Sequence, residues 1–119
     1  MKSKDTLKLS LTLEERPVEL GKEKYTLKEM TGAQRDDYLQ ESSNRFKYDV
    51  KGKPAGIKNW EGMQASLICK CLWCKDTLVD QEVIMGWPSS TQKKLFDAAQ
   101  ELNSLDLDPE KAEEEAGND

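Results

Sequence analysis

Tyr25-Thr-Leu-Lys-Glu-Met-Thr-Gly-Ala-Gln-Arg-Asp-Asp-Tyr-Leu39 carries a strand and the start of a helix within fifteen residues. Tyr25 and Leu27 alternate with polar Thr26 and Lys28, the pattern of a half-buried strand. Thr31 stands three residues before Gln34. Its hydroxyl can accept from the first helical turn while the Gln34 side chain reaches back, a capping box. The stretch therefore sets the architecture: sheet first, helices after.

Upstream, Leu7, Leu9, Leu11 and Leu13 alternate with Lys8, Ser10, Thr12 and Glu14, a period of two that predicts another strand. Pro17 interrupts it, so a new element is expected from there. Val18–Leu20 and Glu23–Leu27 flank Gly21-Lys22, where the glycine can supply the positive φ of a hairpin turn. The expected sheet is small and antiparallel, with two to three strands.

Downstream, a first helix is expected over about 32–47, with Tyr38, Leu39, Ser42 and Phe46 on one side and Arg35, Asp36, Gln40, Glu41 and Asn44 on the other. Residues 49–56 are rich in turn formers and read as an exposed loop. The most apolar segment predicts a central helix over about 58–73, with Trp60, Met63, Leu67 and Cys71 on one stripe broadened by Ile68 and Leu72. Asp80 can cap a short turn holding Val83 and Ile84, which Gly86 ends. Ser89 and Gln92 suggest a second capping box. They open a last helix over about 90–103, whose buried face is Leu95, Phe96, Ala99 and Leu102. The fold class is α+β: the sheet, three main helices and a short helical turn.

The chain has 119 residues, 36% hydrophobic and 34% charged, with a net charge of −5. That suits one domain of modest core over 1–105. Residues 106–119 hold seven acids against Lys111, a local charge of −6, so the body carries +1 by difference. One leucine and two alanines give those fourteen residues little to bury, and a flexible acidic tail is expected. A near-neutral body is not the footprint of a nucleic-acid binder. No apolar run is long enough to span a membrane, and no signal peptide is legible, so a cytoplasmic protein is expected.

Histidine is absent. The usual general base, the usual neutral metal ligand and the Ser-His or Cys-His nucleophile pairs go with it, so no enzyme and no cofactor is expected. Cys69, Cys71 and Cys74 could in principle form a thiolate site. On a helix, however, Cys69 and Cys71 diverge by roughly 200°, and a structural zinc needs a fourth ligand. Ordinary thiols, with Cys71 inside and Cys69 outside, are expected. Asp36-Asp37 and Glu14-Glu15 diverge as sequence neighbours and make no acid/base couple. Gly52 and Gly56 lack the lysine and hydroxyl of a phosphate loop. What remains is binding surface. Trp60 belongs to the expected core stripe. Trp73 lies off it and Trp87 sits in a connection, so these two, with Leu105 just past the last helix, are the candidate partner-binding residues.

Three segments taken in order resemble the tail assembly chaperones of long-tailed bacteriophages and prophages. They are Tyr25–Leu39, then Gly52-Lys-Pro-Ala-Gly56 with Trp60 and Gln64-Ala-Ser-Leu67, then Trp87-Pro-Ser-Ser90 with Leu95–Asn103 and the Ala-Glu-Glu-Glu-Ala-Gly-Asn ending. The likeness covers about residues 18–118, and its specificity comes from order and spacing. The Leu7–Leu13 segment and the cysteines fall outside it. The resemblance implies a non-catalytic assembly factor of the host cytoplasm, absent from the mature virion. Such a factor coats the tape-measure protein and helps recruit the major tail protein. It takes no nucleic acid and no membrane as partner, and leaves a homo-oligomer open. Many such chaperones also occur in a form extended by ribosomal frameshifting, for which the acidic segment would be the junction. The competing class is a small phage-encoded regulatory or nucleic-acid-binding protein.

Overall fold

Gly21 takes φ 63° at the first position of a two-residue turn, which closes β1 (Glu15–Leu20) onto β2 (Glu23–Lys28). Only the first turn residue needs positive φ, the requirement of a type II′ hairpin. The structure is a computed structural model and describes residues 5–57 and 61–105. Val18 pairs with Tyr25 and Arg16 with Leu27. The Glu29 N–H donates to the Glu14 carbonyl at 2.8 Å and fixes the parity of the ladder. Arg16, Val18 and Leu20 thus turn their backbone groups toward β2, while Pro17 turns its hydrogen-less nitrogen to the open edge. Pro17 does not begin the element. It sits inside an edge strand at a position where no ladder bond is lost.

Thr31 caps α1 (Gly32–Arg45) with the full capping box, its Oγ1 accepting from Gln34 N at 3.2 Å and Gln34 Oε1 accepting from Thr31 N at 2.9 Å. Tyr38 and Ser42 are the buried residues of α1, while Leu39 is left exposed. The helix passes directly into β3 (Phe46–Tyr48), which pairs with β4 (Pro54–Ile57). The expected loop over 49–56 is therefore the turn and second strand of a hairpin. Phe46 buries against Ile57 and Met63 in a small separate cluster, because its backbone is extended rather than helical.

α2 (Met63–Cys71) is shorter than its apolar stripe predicted. It hands over without a loop to β5 (Leu72–Cys74), which hydrogen-bonds beside β2 and turns at Lys75-Asp76 into β6 (Thr77–Leu78). The reason is tertiary. Leu72 stands opposite Leu27, and both are fully buried, so the sheet offers the segment a partner that a further helical turn would lack. The four-stranded sheet runs in the order β1-β2-β5-β6. Two of its strands come from beyond the N-terminal hairpin, and none comes from residues 7–13, which form no strand. Their alternation has no neighbour here to pair with.

α3 (Gln81–Met85) is the expected short turn and ends at Gly86. α4 (Ser89–Leu102) buries Leu95, Phe96 and Ala99. Neither carries the expected side-chain cap: Asp80 makes none, and α4 begins after Pro88 with Gln92 Nε2 donating to the Trp87 carbonyl at 2.9 Å. The core lies between the sheet and α2 and α4, with Leu27, Leu67, Ile68, Cys71, Leu72, Ile84 and Phe96 at its centre. Asn103 ties this core together. Its Oδ1 accepts from Met30 N at 2.7 Å, its Nδ2 donates to Ala99 O at 2.8 Å and Cys71 Sγ at 3.5 Å, and its carbonyl accepts from Arg35 Nη1 at 2.7 Å.

The expected tail, 106–119, and Trp60 lie outside the described residues. No helix among the described residues is long and apolar enough to cross a membrane.

Candidate functional site

β1 is an edge strand, and it faces α4 across a gap. Successive core-facing residues of β1, Val18 and Leu20, are only half-buried. On α4, Thr91, Leu95 and Ala98 recur at i, i+4 and i+7, a second stripe beside the Leu95-Phe96-Ala99 face. Between strand and helix lies an open groove of about 430 Å³, lined by residues 16–21 and by Thr91, Lys94, Leu95 and Ala98. A smaller hollow of about 240 Å³ continues it over Leu20, Gly21 and Thr91 to Tyr25, Trp87 and Pro88. The groove's lining is about half apolar, from Val18, Leu20, Leu95 and Ala98. Arg16, Glu19 and Lys94 bring charges of both signs to the lining.

Trp87 is the one sequence-predicted binding residue that belongs to this groove. It meets Tyr25 edge to face, with ring centroids 5.9 Å apart, and packs on the core with one side while lining the hollow with the other. Trp73 is not on a helix but on β5, pointing to the sheet face opposite Leu72. There Lys28 Nζ sits 5.0 Å from its ring centroid. Leu105 packs half-buried against the core just past α4. Neither Trp73 nor Leu105 lines the groove. The three residues therefore do not form one patch.

Cys71 is buried, Cys69 and Cys74 are half-buried, and burial works against activation of the first two. Burial pushes Cys71 up to about 11, the Asn103 amide opposing it only in part. Burial also raises Cys69, whose Sγ donates to the Ser66 carbonyl at 3.3 Å. Both stay protonated near neutral pH, the form that neither attacks nor ligates. Among the described residues, no three His, Cys, Asp or Glu side chains gather where they could hold a metal. The turn between β3 and β4, which holds Gly52, is no phosphate cradle. The N–H groups of Lys51 and Lys53 both donate to Asp49 Oδ1 at 2.9 Å, so its amides already serve a carboxylate.

The groove was not legible beforehand. Its signal was present in the Thr91-Leu95-Ala98 spacing. What made it a site is that β1 lies over that stripe, an adjacency no local pattern announces. Comparison with family models, with curated proteins and with solved structures finds no match.

Proposed function

We propose that this chain is a non-catalytic tail assembly chaperone. It would bind the tape-measure protein, keep it soluble in the host cytoplasm and help recruit the major tail protein, without entering the virion. The single observation that supports the reading is the open groove between β1 and α4, part apolar and part charged, with Trp87 lining the hollow that continues it. A tape measure is a long amphipathic chain, and a helix of that kind is bound by laying its apolar face in such a groove. A half-exposed floor gives modest affinity at each contact, so bound segments can be handed on without nucleotide. Lys94, Arg16 and Glu19 can meet the charged flanks of a helix in either orientation. Trp73, on the other face of the sheet, is free of that groove and suits a second protein contact such as the tail subunit.

The test is co-expression with a tape-measure protein of a long-tailed phage. The soluble fraction of the tape measure is expected to rise several-fold with the native chain, and to fall back with Ala98→Glu, which places a charge on the groove floor. A tape measure equally soluble without the chaperone would refute the reading.

A further inference from the structure

The ten described residues before β1 leave a conspicuous debt of burial. Leu7, Leu9 and Leu11 are 80%, 78% and 103% exposed, three alternate leucines of a segment that forms no helix or strand. Such regular alternation is the pattern of a strand with one covered face, so it calls for a covering surface.

That surface is present on the molecule. β1 offers an open edge, and beside it lies the groove over α4, whose apolar part is Val18, Leu20, Leu95 and Ala98. Residues 7–13, extended, span about 23 Å, close to the length of the six-residue β1. An added strand would find the backbone groups of Glu15 and Glu19 and the Pro17 carbonyl at the edge. Its leucines would reach the floor formed by Val18, Leu20 and Ala98. Lys8 is complementary to Glu19, both on the face turned away from the floor.

A chain cannot readily fill its own groove. Glu14 is held at both backbone groups, its carbonyl accepting from Glu29 N and its N–H donating to Glu29 Oε1, each at 2.8 Å. This prolongs the direction of β1, so the arm leaves past the Glu15 end, pointing away from Leu20 and Gly21. A return would require a complete reversal within Thr12-Leu13. A second copy meets no such obstacle, and it carries the same arm and the same groove.

We propose that two copies of this chain exchange their Leu7–Leu13 arms, each arm lying along β1 in the groove of the other. The contact is reciprocal and closes at two. Arm and client compete for one floor, so the exchanged dimer is a resting form that shields the groove. The exchange itself does not depend on what the client is.

Light scattering after size exclusion, on the full chain from about 5 to about 500 μM, decides the matter. The native mass is expected to climb from 13.5 kDa toward about 27 kDa. The double variant Leu9→Glu/Leu11→Glu should raise the dimer dissociation constant at least about 100-fold. Ala98→Arg, which blocks the groove, should do the same. Mixing the two variants should restore a heterodimer, since one intact arm then meets one intact groove. A native chain that stays monomeric throughout overturns the proposal and leaves the groove to another polypeptide. A double variant that dimerises like the native chain also overturns it. Leu9 and Leu11 are outside the core, so that variant reports on association even if Ala98→Arg fails to fold.

Discussion

Cys71 shows how burial fixes the chemistry of a single side chain. It is fully buried between α2 and the C-terminal end of α4, where Asn103 Nδ2 is its polar neighbour. Its folded-state value of about 11 lies above that of an unfolded thiol near 9. Protonation is thus favoured in the fold, and the stability it brings is complete below pH 9 and lost as pH rises through 11. The loss approaches about 2–3 kcal/mol, since each unit is worth about 1.4 kcal/mol. Tyr38, raised by burial against the Ser42 bond that lowers it, adds to the fall above pH 10. Urea titrations at pH 8 and pH 10.5 should show the native chain weakening, with Cys71→Ala losing much less between the same limits. Equal losses in both chains would mean that the thiol does not couple folding to pH.

Elements here begin and end for two different kinds of reason. α1 begins where Thr31 and Gln34 satisfy each other's backbone groups, a local device that works before any tertiary contact forms. Thr31→Ala should therefore cost about 1 kcal/mol, read as a lower denaturation midpoint with an unchanged urea slope. No change in midpoint would show the cap to be ornamental. α2 is the opposite case. Its N-terminus rests on Gly62 at φ 66°, where an added Cβ would stand 2.8 Å from Gln81 Nε2, and its C-terminus is set by β2. The backbone leaves the helix at Leu72 because pairing with Leu27 serves both the ladder and the core at once. The following turn holds Lys75 at φ 58°, a left-handed strain the hairpin accepts to keep Trp73 opposite Leu78.

At the scale of the whole molecule, two bodies of apolar contact differ greatly in size. The main cluster joins the sheet, α2, α3 and α4, whereas Phe46, Ile57 and Met63 stand apart under the β3–β4 hairpin. The Lys70–Glu41 pair links α1 to α2 at 3.1 Å, but half of the Glu41 side chain is in water and the pair contributes little. Local opening should follow this division. Amide exchange is expected to be fastest in β3 and β4 and slowest in β2, α2 and the centre of α4. Uniform protection across both clusters would show one cooperative unit instead. The same large-scale view explains the groove: an edge strand above a helix leaves a channel on the flank of the main core, where a second polypeptide can complete the packing.

Local pattern alone determined the hairpin at Gly21, the capped start of α1, the short α3 and the apolar face of α4, because each rests on contacts within a few residues of chain. The absence of histidine and the acid run from Asp106 onward were equally plain, and they direct attention to binding surfaces. Only tertiary structure decided that Leu72–Cys74 is a strand, that Trp73 and Trp87 face different surroundings, and that β1 lies over the Thr91-Leu95-Ala98 stripe. The Leu7–Leu13 alternation shows the boundary between the two. A period of two states that one face wants cover, but a strand exists only where a neighbour supplies hydrogen bonds, and that neighbour is chosen by the fold rather than by the segment itself.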